Sequence, residues 1–212
     1  MTEQNFEQMR RAMVVSQLRT TGVSDARVVT AMGEVARERF VPTDKASIAY
    51  AEIAFPLGDG RSLNPPMVTG RLLTQAQVVA GDSVLLIGAA TGYTAALLLA
   101  LGASVVAVEE DEALFAQGKA AVPGATWVKA ALTSKKGAPY SLILIDGAVE
   151  QIPQALVDQL ADGGRLVGAL IENGVSRLVS GAKAGKGFGT TAFADADAAV
   201  LPGFEKPAGF SF

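Results

Sequence analysis

Ser83-Val84-Leu85-Leu86-Ile87-Gly88-Ala89-Ala90-Thr91-Gly92-Tyr93 decides how this chain folds. An apolar run ends in a turn of small residues, and a segment of helical length follows to Leu101. A β-branched run, Ser104 to Val108, completes the unit. Short apolar runs bounded by glycine read as strands buried on both faces, as the strands of parallel sheets are. The pattern predicts strand over 83–87, helix over 93–101 and strand over 104–108, a β-α-β unit. No residue between Asp82 and Glu109 is charged, and that length could cross a bilayer. Gly88, Gly92 and Gly102 interrupt it, however. Its flanks, Asp82 and Glu109-Glu110-Asp111, are acidic and carry no basic anchor. No membrane association is expected.

Downstream, the alternation continues with strands over 126–129, 141–145 and 165–171 and a helix over 153–160, which leads into the Asp162-Gly163-Gly164 turn. The Lys135-Lys136 pair reads as a solvated loop. Residues 176–180 and 188–193 read as a hairpin, with Phe210 to Phe212 as a further edge strand. Upstream the pattern is helical. Asn5 with Gln8 resembles a capping box. Ser24-Asp25 opens a second helix that Phe40-Val41-Pro42 ends, residues 54–66 form a Gly/Pro-rich loop, and a helix runs over 65–76. The expected fold is therefore α/β: a doubly wound, mostly parallel sheet with extra N-terminal helices and a C-terminal antiparallel hairpin. Residues 1–77 would pack on a core formed by 78–212, as one structural domain overall.

Composition narrows the chemistry. The 212 residues include no histidine and no cysteine. That removes thiolate nucleophiles, serine–histidine relays, disulfides and metal sites built on nitrogen and sulfur. A net charge of −3 gives no sign of a nucleic-acid surface. The acidic start has no apolar targeting run, so a cytoplasmic location is the default expectation.

The first candidate site is Gly88-Ala89-Ala90-Thr91-Gly92, with Glu109 ending the next strand 21 positions after Gly88. Small residues admit a ligand at a helix N-terminus, and an acid at that distance can accept hydrogen bonds from ribose hydroxyls. A nicotinamide fingerprint would need glycine at 90 and 93, where Ala90 and Tyr93 stand. The spacing suits S-adenosylmethionine, which has no pyrophosphate to cradle. On this motif alone a second reading stands beside it, in which the glycines only permit tight packing of strand and helix.

The chain resembles the protein-L-isoaspartate O-methyltransferases from about Met13 to Val167. The resemblance is carried by Ser16-Gln17-Leu18-Arg19, Gly22-Val23-Ser24-Asp25-Ala26-Arg27-Val28, Val35-Ala36-Arg37-Glu38-Arg39-Phe40-Val41-Pro42 and Pro56-Leu57-Gly58-Asp59-Gly60. Gly92-Tyr93-Thr94-Ala95-Ala96 and Gln159-Leu160-Ala161-Asp162-Gly163-Gly164-Arg165-Leu166-Val167 continue it. It implies a Rossmann-like methyltransferase that transfers a methyl group from S-adenosylmethionine to the α-carboxylate of isoaspartyl residues in damaged protein, leaving S-adenosylhomocysteine.

Several functional positions depart from the family pattern. The family loop Gly-Gln-Thr-Ile-Ser is here Gly60-Arg61-Ser62-Leu63-Asn64, so Ser62 keeps a hydroxyl and Asn64 replaces the serine. The resemblance implies that Ser62 and Asn64 orient the acceptor carboxylate. A local reading instead makes Asn64 an N-cap with Pro65 at the first helical position. The cofactor loop Glu-Ile-Gly-Thr-Gly-Ser-Gly-Tyr is here Leu86 to Tyr93, which removes an acid at 86 and places a methyl group at Ala90. Ala130-Ala131 replaces a Gly-Asp pair near the adenine. Gly88, Ala89, Ala90, Gly92, Glu109 and Ala131 are thus the expected cofactor contacts. Asp146, at the end of its strand, either joins them in the crevice or forms a plain Asp-Gly turn with Gly147. A non-catalytic scaffold, or a methyltransferase for another acceptor, are the alternatives.

Overall fold

The computed structural model describes residues 5–134, 137 and 139–206. The expected edge strand over 210–212 and the Lys135-Lys136 pair lie outside them. Asn5 caps α1 (Phe6–Met13) by accepting the Gln8 N–H at 2.9 Å, and Asp25 caps α2 (Ala26–Glu34) in the same manner through the Arg27 N–H. The second helix stops at Glu34 and does not reach Phe40. Val35 is already extended, with ψ 120°, and Arg37–Arg39 form a separate short turn. That break lets the Arg37 side chain turn inward.

Residues 55–63 are not an open loop, as expected, but a hairpin. β1 (Phe55–Gly58) pairs antiparallel with β2 (Arg61–Leu63). Asp59 (φ 48°) and Gly60 (φ 73°) both adopt the left-handed conformation that such a two-residue turn demands. α3 (Pro66–Ala76) follows.

From there the chain alternates through β3 (Ser83–Ile87), α4 (Tyr93–Ala100), β4 (Ser104–Glu109), α5 (Glu112–Ala121), β5 (Thr126–Lys129), β6 (Tyr140–Val149), α6 (Gln154–Val157) and β7 (Leu160–Glu172). β8 (Val175–Ala184) and β9 (Gly187–Asp195) form the expected hairpin. The seven-stranded sheet has the order β5-β4-β3-β6-β7-β8-β9. The first five strands are parallel and the last two antiparallel. Three boundaries differ from expectation. The helix read over 153–160 is confined to 154–157, and β6 continues through Asp146-Gly147, so no Asp-Gly turn forms there. The Asp162-Gly163-Gly164 stretch does not precede its strand but lies inside β7, which starts at Leu160 and takes up the extra residues as an irregularity in its pairing with β6.

Successive strand residues face opposite sides of the sheet. Val84 and Leu86 enter a core shared with Met13, Met32, Leu72 and Tyr93, so the N-terminal helices cover that face. Leu85 and Ile87 enter a second core with Ile143, Ile145, Leu156 and Leu201. Both faces are apolar because both are buried, which is why these strands read as unbroken runs. β3 has β4 on one side and β6 on the other. The strand order therefore reverses at β3, and in such sheets ligands bind at the C-terminal ends of the strands beside that point. Among the described residues no helix is long and apolar enough to cross a membrane.

Candidate functional site

The turn after β3 is held at the crevice by its own backbone. The Gly88 and Ala89 N–H groups both donate to the Val108 carbonyl at 3.1 Å, which fastens the turn to β4. Gly88 (φ 75°) and Gly92 (φ 98°) are left-handed, and so is Ala90 (φ 48°). Ala90 in that region is strained, and a long-range bond offsets the strain: its N–H donates to Glu109 Oε2 at 2.8 Å.

Glu109, fully buried at the end of β4, gathers this part of the site. Its Oε1 accepts from the Glu110 N–H at 3.0 Å and the Asp111 N–H at 3.1 Å. The same oxygen forms an ion pair with Arg61 Nη1, from β2. Both partners are out of solvent, Arg61 at 5% and Glu109 at 0% exposure. This is the strongest departure from the sequence reading, which left Arg61 without a role. The signal was a charged residue at the glutamine position of the hairpin; its partner stands 48 positions later.

A second cluster is built around Asn64. It does not cap α3, since Pro65 occupies the boundary and no side chain caps the helix. Local spacing suggested a cap, but two buried groups from distant elements claim the amide. Asn64 Nδ2 donates to Asp146 Oδ1 at 2.8 Å, and Asn64 Oδ1 accepts the Ala199 N–H at 2.8 Å. Ser62 is half-buried, on the opposite side of β2 from Arg61 and Leu63 by strand alternation. Among the described residues no hydrogen bond joins it to Asn64, Asp146 or Glu109. Ala89 is fully buried under the turn. Ala131 is exposed, its carbonyl accepting the Ser134 N–H at 3.1 Å.

Arg37 underlies the Asn64 cluster. It is fully buried, donating to the Ala49 carbonyl at 2.9 Å and to the Asn64 carbonyl at 2.6 Å. Its guanidinium lies 4.8 Å from the centre of the Tyr93 ring. Sequence reasoning saw Arg37 only as part of a motif.

Burial pushes the Asp146 carboxyl above its usual range, although Thr94 and Asn64 side chains and the Arg61 and Arg37 charges pull the other way. An acid whose pKa is raised in the fold binds its proton better when folded. Its ionised form therefore opposes folding above the folded pKa, and the penalty disappears as pH falls toward the ordinary value of 3.8. Asp146→Asn is accordingly expected to raise stability at pH 7 by about 1 kcal/mol, with the gain fading near pH 4. Urea unfolding of both proteins at the two pH values checks this; equal midpoints at pH 7 would refute it.

One last segment bears on the crevice. Residues 198–204 lie along the C-terminal end of β6, where the Ala148 N–H donates to the Ala199 carbonyl at 2.7 Å and the Leu201 N–H to the Ala148 carbonyl at 2.9 Å. Leu201 is buried against two glycines. A methyl group at Gly88 would lie 2.8 Å from Leu201 Cδ1, and one at Gly147 would lie 2.8 Å from Leu201 Cβ. The open faces of these glycines are thus taken up by Leu201.

A family model described as protein-L-isoaspartate(D-aspartate) O-methyltransferase matches residues 9–190. Among curated relatives, a protein-L-isoaspartate O-methyltransferase of Methanoculleus marisnigri is 38% identical over 165 residues, covering 74% of this chain and 75% of its own. One from Methanoregula boonei is 39% identical over 165 residues, covering 74% and 76%. A structure of the Plasmodium falciparum protein-L-isoaspartate O-methyltransferase in complex with S-adenosyl-L-homocysteine superposes with a TM-score of 0.78 at 16% identity, covering 94% of this chain and 99% of that one. That likeness carries the fold, and the sequence matches carry the family. By both the extent of the family match and the identity to its relatives, this chain belongs to the protein-L-isoaspartate(D-aspartate) O-methyltransferase family.

Proposed function

We propose that the chain transfers a methyl group from S-adenosylmethionine to the carboxylate of isoaspartyl residues in damaged proteins. The observation that carries the reading is the place of Glu109: a buried acid at the end of β4, bonded to the turn after β3, at the switch point of the sheet. The cofactor supplies a methyl group on a sulfonium, and an acceptor carboxylate is already ionised at neutral pH, so the transfer needs no general base. A chain without histidine can therefore carry it. What the protein contributes is alignment.

In the conformation described, the crevice does not fit the cofactor. Glu109 is engaged by Arg61 and three backbone N–H groups, and Leu201 covers Gly88. The right kinds of residue stand at the switch point in a closed arrangement. Asn64 is held between Asp146 and Ala199, and its Nδ2, which keeps a second N–H beside the one given to Asp146, is the donor that could meet an acceptor oxygen.

Incubation with methyl-labelled S-adenosylmethionine and paired peptides, one isoaspartyl and one aspartyl, tests the function. Label is expected in the isoaspartyl peptide alone. No label in either peptide would refute the activity, and equal label in both would refute the substrate.

A further inference from the structure

We infer that residues 199–202 and Arg61 form an internal plug that occupies the cofactor crevice, so that S-adenosylmethionine binds only as the plug withdraws. The inference rests on the cofactor reading above. Two separate segments meet at one place. Arg61 comes from the β1–β2 hairpin and pairs with Glu109. Leu201 comes from the chain beyond β9 and seats against Gly88 and Gly147. They touch the same glycine, because a methyl group on Gly88 would also lie 3.4 Å from Arg61 Nη2. The two segments also lie close together, since a methyl group on Gly60 would lie 3.7 Å from Pro202 Cγ.

The plug's backbone is lightly attached to the sheet. Residues 199–201 join β6 by two backbone bonds, which make up an isolated bridge between Ala148 and Val200, and Val200 remains 59% exposed although Leu201 is buried. The Arg61 charge stands where ribose hydroxyls would otherwise satisfy Glu109. Each plug group thus replaces something a bound cofactor would offer: donors for Glu109 and apolar cover for Gly88. Asn64 links the plug to the second cluster, because its Oδ1 accepts the Ala199 N–H while its Nδ2 holds Asp146. Withdrawal would free the acid for the cofactor and remove the Ala199 donor from the Asn64 Oδ1.

A ligand that binds only an open form has its apparent affinity reduced by the fraction of molecules that are open. Weakening the closed form must therefore tighten binding. The test is calorimetric titration of S-adenosylhomocysteine into the full chain, Arg61→Gln and Leu201→Ala. It is accompanied by hydrogen exchange of the Ala199 and Leu201 amides with and without ligand. Arg61→Gln leaves the Glu109 carboxylate its three backbone donors and the Leu201 core untouched, so it keeps the test valid should Leu201→Ala unfold. Each variant is expected to bind at least about tenfold tighter than the parent, and both amides are expected to exchange faster in the saturated parent. If the parent binds, the variants bind no tighter and the amides stay protected, the plug is overturned and the cofactor reading stands. If none of the three binds at millimolar ligand, the cofactor reading falls and the plug with it.

Discussion

Arg37→Ala is expected to destabilise the fold by about 3–5 kcal/mol. The side chain is fully buried, and its removal strips the Ala49 and Asn64 carbonyls of their donor. Each buried acceptor left unpaired costs about 1–3 kcal/mol. The lost stem and the vacated face of Tyr93 add a packing penalty. One effect acts in the opposite direction. Burial pushes the Arg37 pKa down, which means that the fold bears a desolvation cost that the substitution relieves. The carbonyl and cavity losses are larger, because two buried acceptors and the space of a whole side chain are left at one place. Urea unfolding should show a lowered midpoint with an unchanged slope, and a loss below about 1 kcal/mol would contradict the assignment. Asn64 is fixed by the Arg37 bond to its carbonyl, so acceptor binding should weaken with stability.

Glu109→Ala is expected to cost a similar amount, about 3–5 kcal/mol, by leaving a buried Arg61 charge without its partner. Three backbone N–H groups also lose their acceptor, among them that of Ala90 in its left-handed turn. Much of the penalty belongs to the stranded cation and not to the lost attraction. Adding Arg61→Ala to Glu109→Ala should therefore recover at least about 1 kcal/mol. Additive losses in that double-mutant cycle would mean that the two side chains do not depend on each other. Glu109→Ala should also abolish S-adenosylhomocysteine binding, whereas Arg61→Gln should improve it. The opposite signs separate the acid that holds a ligand from the cation that takes the ligand's place.

Much of the fold was legible because it is written in short-range pattern. The apolar runs that become β3, β4 and β6 are bounded by glycines and acids, and both of their faces are buried. Asn5 and Asp25 cap as their spacing predicts, since a cap needs only partners two or three residues away. The hairpin over 55–63 was legible in principle. Asp59-Gly60 is the signal for a two-residue turn, but the surrounding Gly/Pro content disguised it as loop.

What escaped the sequence reading depends on distant partners. Asn64 has the residue type and position of a cap, yet its amide is claimed by Asp146 and by Ala199, 82 and 135 positions away. Asp146-Gly147 reads as a turn, but the missing side chain at 147 serves the close approach of Leu201 and the Ala199 carbonyl to a continuous strand. Glu109 was recognised by its distance from the glycine turn. Nothing in its neighbourhood announced that Arg61 would reach it across the crevice. Leu201 lies in an Ala-rich stretch after the last strand, where no periodicity marks it as buried. The residues that close the site are those whose roles are set only by tertiary contact.

A crystal structure of the chain with S-adenosylhomocysteine tests the central claim most directly. The account predicts ribose hydroxyls on the Glu109 carboxylate, Arg61 turned away from it, and Leu201 lifted off Gly88. A complex in which the ligand is bound while Arg61 still pairs with Glu109 and Leu201 still covers Gly88 would contradict it.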